Sequence, residues 1–122
     1  MADDKVQQLR AQMHEDAKSG IITLKTPLRA GGRDVTELAY DFGKLTGWEY
    51  ADAMDMDPRA GNIYKITRKQ ALCLFAAAAG KANEGVDATD IRERLGVEDA
   101  QTAVEQAMVF LTPSTPEVKR NS

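Results

Sequence analysis

Paired carboxylates such as Asp55 with Asp57, or Asp87 with Asp90, are the arrangement from which general acid–base catalysis or a divalent-cation site is built. Each pair also stands where a helix is expected to end or begin. At a helix start a carboxylate caps backbone amides and offsets the helix dipole without performing any chemistry. The single histidine, His14, and the single cysteine, Cys73, fall on segments of different expected structure, so spacing assembles no nucleophile and base. His14 has no partner ligands around it and is expected to be solvated, whereas Cys73 lies in an apolar run where a small buried thiol is the ordinary role. Gly31-Gly32 lacks the following helix and lysine of a phosphate loop and reads as a turn. Side-chain chemistry therefore directs the reading toward binding rather than catalysis, with no metal and no cofactor expected.

The elements that must position a binding surface have one core's worth of chain to work with, since 122 residues bury about two-thirds of their unfolded surface as one domain. The longest apolar run, around Ala71 to Ala79, is far shorter than the roughly 20 residues of a membrane span. Asp3 and Asp4 replace the basic start of a secretory signal, so the expected location is the cytoplasm, with no membrane partner. The formal net charge is −3, and from Asn83 to Leu111 seven acids (Glu84, Asp87, Asp90, Glu93, Glu98, Asp99 and Glu105) face only Arg92 and Arg94. That half of the chain would repel a phosphate backbone, which argues against a nucleic-acid partner.

Residues 1–20 are polar apart from Val6, Leu9 and Met13, whose spacing suits one narrow helical face, and are expected to form a mobile tail. Ile22, Leu24 and Leu28 fall on one side of an extended segment that begins at Ile21, and Pro27 marks an edge or the end of pairing. Ala30-Gly31-Gly32-Arg33 supplies the reversal. Leu38, Tyr40 and Phe42 are in phase on the returning strand while Val35 is not, which predicts a bulge near Thr36-Glu37. Two strands alone are marginal in water, so the helices that follow must cover the hairpin's apolar face.

Thr46-Gly47-Trp48-Glu49 has capping-box spacing and predicts a helix from about Gly47 to Met56, with Trp48, Ala51, Met54 and Met56 as its apolar contacts. Asp57-Pro58 should end it, followed by a loop over Arg59 to Asn62 and a short extended connection over Ile63 to Ile66. A second box, Thr67 with Gln70, opens the most hydrophobic helix, apolar nearly all round and so expected at the middle of the fold. Asn83-Glu84-Gly85 breaks it, Asp87 and Asp90 start a short helix that stops at Gly96, and a final helix from near Glu98 carries Ala100, Ala103, Val104, Ala107, Met108 and Leu111 on one stripe. Thr112-Pro113 closes the domain, leaving residues 112–122 as a second mobile tail. The fold class expected is α+β: one domain over residues 21–111, an N-terminal hairpin packed against about four helices.

Ile21, then Thr23-Leu24-Lys25-Thr26-Pro27-Leu28, then Gly31-Gly32, then Val35-Thr36-Glu37-Leu38, together resemble the opening of a bacteriophage tail assembly chaperone family. There a short strand of "I-T-L-x-x-P" character and a glycine turn lead to a strand ending "x-E-L", and helices follow. The chain departs from many relatives at Ala39-Tyr40-Asp41-Phe42, where they carry an arginine-containing segment. The resemblance implies a non-enzymatic role in a long-tailed phage or prophage: binding the tape measure protein, a long helical chain prone to aggregate, until tail tube protein subunits polymerise around it.

A holdase needs apolar surface that adapts to many helical segments, and thioether and aromatic side chains suit that task. Trp48, Tyr50, Met54, Met56, Val109 and Phe110 are the candidate partner-binding residues, although Trp48 and Phe110 are equally the kind of large side chain that completes a small core. Self-association is a further expectation, because a hairpin leaves sheet edges and an alanine-rich helix accepts close neighbours. The rival reading is a small DNA-binding or regulatory protein, since Ile91-Arg92-Glu93-Arg94-Leu95-Gly96-Val97 followed by a helix resembles a helix-turn-helix. Its second helix opens with Glu98-Asp99 and offers only Gln101 and Gln106 as base readers.

Overall fold

Gly31 and Gly32 adopt φ of 61° and 78°, the pair of positive values that a two-residue type I′ reversal requires and that side chains with a Cβ resist. They join β1 (Ser19–Ala30) to β2 (Arg33–Asp41) in an antiparallel hairpin that is followed by a 3-10 turn (Phe42–Lys44), α1 (Gly47–Met54), α2 (Arg68–Ala82), α3 (Ala88–Arg94) and α4 (Val97–Leu111). These elements come from a computed structural model that describes residues 18–56 and 66–111. The hairpin-then-helices α+β class expected from the sequence is the one observed. The expectations for residues 1–17, His14 among them, for the loop and connection within 57–65, and for the tail at 112–122 lie outside the described residues.

The hairpin's inward face is the alternating one. Ile22, Leu24, Leu28, Val35, Leu38, Tyr40 and Phe42 are all buried. The bulge lies at the expected height but in the other strand: Thr23 pairs with Glu37 and Leu28 with Val35, so Leu24, Lys25, Thr26 and Pro27 stand opposite Thr36 alone. The reason is chemical. Pro27 has no amide to donate, and the amides of Lys25 and Thr26 turn to the Asp99 carboxylate, at 2.8 Å to Oδ1 and 3.1 Å to Oδ2. Asp99, in the first turn of α4, is 3% exposed, and its position is set by this bulge.

α2 packs against α1, α3, α4 and β2, which explains why its sequence is apolar nearly all round. Ala71, Leu74, Phe75 and Ala79 are fully enclosed, and Gly80 lies so close to α3 that an added Cβ would stand 2.8 Å from the Ala88 amide nitrogen. Phe75, Leu28, Leu38, Leu74 and Ile91 are the largest side chains removed from water, each stabilising the fold by about 1.5–3 kcal/mol relative to exposure. The Tyr40 ring meets Phe75 at 5.1 Å and Phe42 at 5.3 Å, and its hydroxyl donates to Gln106 Oε1 at 3.2 Å. Burial raises the Tyr40 pKa, because a phenolate there would lose its hydration.

α2 ends at Asn83, whose amide serves as a surrogate strand. Its Oδ1 accepts the Ala39 N–H at 3.2 Å, while Nδ2 donates to the carbonyls of Ala39 and Ala79, each at 2.7 Å. The outer edge of β2 is thereby satisfied at Ala39 by a side chain.

Candidate functional site

The apolar surface is organised around α1, whose orientation is fixed at both ends. Thr46 and Glu49 form the reciprocal box expected from their spacing, Oγ1 accepting the Glu49 amide at 3.1 Å and Glu49 Oε1 accepting the Thr46 amide at 2.8 Å. The same carboxylate oxygen accepts Lys81 Nζ at 2.7 Å, and that ammonium also donates to the Lys44 carbonyl at 2.9 Å. The Lys81 contact first, then the Thr46 amide, holds the Glu49 carboxyl below its ordinary range. At the other end α1 stops at Met54, two residues before the expected Met56. The Met56 amide tightens onto the Ala53 carbonyl at 3.3 Å, and the Met54 carbonyl is taken by Gln70 Nε2 at 3.0 Å, so the last turn cannot propagate.

With α1 fixed in this way, Ala53 faces the core and Trp48, about 140° away around the helix, faces out. Trp48 is 80% exposed, which corrects its expected place among the apolar contacts of this helix; Ala51 is likewise exposed. Tyr50 and Met56 are exposed on the flanks. Met56 borders a shallow groove of about 160 Å³ whose floor includes Cys73 and Ala77, and Cys73 itself is buried. Met54 is half-buried against the core.

On α4, Val109 is exposed, while its neighbour Phe110 is half-buried and stacks on Phe42 with centroids 4.7 Å apart and planes 17° from parallel. Thus, of the six candidate residues, Trp48, Tyr50, Met56 and Val109 present surface, and Met54 and Phe110 mostly complete packing. Sequence reasoning missed two exposed side chains, Ile21 at 65% and Val97 at 75%. A signal existed for one of them: Ile21 is out of phase with Ile22 and Leu24 on a strand, whereas Val97, three and seven residues from Ala100 and Val104, shares their helical stripe and its period gave no sign of exposure. Ile21 borders a groove of about 520 Å³ with Ala39, Ala78 and Ala82, rimmed by Lys44 and Lys81.

Of the two acidic pairs, one is occupied structurally. Asp87 and Asp90 exchange a capping box at 3.0 and 3.2 Å, and Arg94 stands 3.7 Å from Asp90. Asp55 stands at the C-cap of α1, where its backbone N–H donates to the Ala51 carbonyl, and Asp57 lies outside the described residues. Among the described residues no three of His, Cys, Asp and Glu are grouped to hold a metal ion, and no helix is long and apolar enough to cross a membrane. Of the two glutamines of α4, Gln106 is engaged by Tyr40 and Gln101 is exposed. No protein-family model, no curated protein and no solved structure matches the chain.

Proposed function

We propose that this protein is a tail assembly chaperone of a long-tailed phage or prophage: a non-enzymatic binding protein that holds the tape measure protein soluble in the host cytoplasm until the tail tube forms. The observation that carries the reading is the outward Trp48, 80% exposed on a helix capped at one end and pinned at the other. A small domain that leaves its only tryptophan in water, and exposes Tyr50 on the same helix and Met56 just past its end, has spare apolar surface suited to another protein's helix. The hairpin supports the reading as well. The residues that carry the family resemblance help to build it, Leu24, Leu28, Val35 and Leu38 on its buried face and Gly31-Gly32 as its turn.

The helix-turn-helix alternative loses support on α4, where Asp99 is committed inward to β1 and Gln106 to Tyr40. A steeply salt-dependent affinity for duplex DNA would reinstate it.

The test is co-expression with a tape measure protein, taken from the neighbouring long helical open reading frame. The tape measure product should be recovered soluble with the wild-type chain and insoluble with the Trp48→Ala, Tyr50→Ala, Met56→Ala triple variant. A tape measure product that is soluble alone, or insoluble in both cases, would sink the proposal.

A further inference from the structure

Between the first turn of α2 and the flank of α4 runs a third groove, of about 860 Å³, lined by Leu72, Leu95, Val97, Ala100 and Val104. Arg68 and Lys69 border it from α2, and Glu105 borders it from α4. We propose that this groove is a homotypic interface, in which a second copy of the chain seats its own α4 about a two-fold axis.

The groove selects that occupant on shape and on charge. Val97, Ala100 and Val104 recur at i, i+3 and i+7, the spacing of a helical ridge that docks into an apolar groove. The chain therefore carries the ridge as well as the groove, and the small Ala100 at the ridge's middle lets two α4 helices approach closely. A two-fold interface uses one patch twice, so that patch must complement itself. Its charges fit that demand, with bases on one side and an acid on the other, and in the antiparallel pairing proposed Glu105 of each copy meets Arg68 and Lys69 of its mate. None of the ion pairs among the described residues involves these three side chains, which leaves them available for that exchange. Val97, 75% exposed at the lip of the groove, passes from water into the joint apolar seam.

The surface is separate from Trp48 and does not depend on which partner Trp48 meets. Sedimentation equilibrium of the full chain should give twice its mass of 13.3 kDa. Val97→Asp should return a single-chain mass with an unchanged far-UV spectrum, because this side chain contributes little to the subunit's own core. Glu105→Lys should also separate the copies, and adding Arg68→Glu with Lys69→Glu should restore the doubled mass by exchanging the two signs. A single-chain mass for the wild type at every concentration would overturn the proposal and leave the groove to another protein's helix or to a segment outside the described residues. A doubled mass indifferent to Val97→Asp and Glu105→Lys would overturn it too, by placing the contact elsewhere.

Discussion

Asp99 Oδ1 accepts the backbone N–H of Lys25 at 2.8 Å across 74 positions of sequence, and through that bond and its twin to Thr26 the first turn of α4 holds the bulge of β1. A carboxylate that acts as a strand partner cannot be replaced by its neutral amide without presenting an NH₂ group to one of two donors.

Asp99→Ala should therefore lower stability by about 1–3 kcal/mol, the cost of leaving buried hydrogen-bonding groups without partners. Asp99→Asn should fall between the wild type and Asp99→Ala. Urea denaturation measures the loss, and hydrogen exchange should locate it at the Lys25 and Thr26 amides. Unaltered exchange at both would mean that the bulge holds itself.

Gly80→Ala tests the crossing of α2 and α3. In an isolated helix the change is favourable by about 1 kcal/mol. Here the new Cβ would stand 2.8 Å from the Ala88 nitrogen and 3.2 Å from the Asp87 carbonyl carbon, both of them backbone atoms that cannot rotate away. The expected outcome is a net destabilisation of about 1–3 kcal/mol, the usual cost of overpacking, read as a lower midpoint in thermal unfolding. A raised midpoint would show that the helices separate freely.

Acid should release the clasp at the start of α1. Glu49 has a depressed folded-state pKa, chiefly through Lys81 and then through the Thr46 amide. For a depressed carboxylate the stabilising contribution is complete above the unfolded-chain pKa and is lost as pH falls through the lower folded value. An NMR titration should place the Glu49 midpoint below the ordinary glutamate range, and Lys81→Met should raise it. A Glu49 midpoint unmoved by Lys81→Met would remove Lys81 as the cause.

Trp48→Ala should leave stability within about 0.5 kcal/mol of the wild type, because its side chain is 80% exposed and the capping box around it is made by Thr46 and Glu49 alone. Trp48 is the only tryptophan, so fluorescence excited at the red edge of the absorption band, where the three tyrosines do not absorb, reports on it alone. Emission of the free protein should resemble indole in water and shift to the blue when a tape measure helix covers the ring. A free protein that already emits in the blue would place this ring in an apolar seam and remove it from the candidate surface.

Much of the molecule was legible because its instructions are local. Thr46 with Glu49, Thr67 with Gln70 and Asp87 with Asp90 close their capping boxes within three residues, and Gly31-Gly32 needs only its own backbone freedom to turn the chain. The alternation of Leu38, Tyr40 and Phe42 likewise assigns a face without reference to anything distant. The candidate surface was read less well: the residue types at Trp48, Tyr50 and Met56 suggested spare apolar area, but Val97 and Ile21 were overlooked and Phe110 is stacked on Phe42.

Those differences share one physical origin. A helix's period says which residues lie together on a face, but which face turns inward depends on contacts made far along the chain. For α1 these are Lys81 on Glu49 and Gln70 on the Met54 carbonyl. The same holds for Asp99 and Asn83, whose types alone suggest a helix start and a helix end. Their partners, a bulge in β1 and the edge of β2, exist only once the elements have packed, so packing alone turned two caps into the clasps that hold the sheet to the helices.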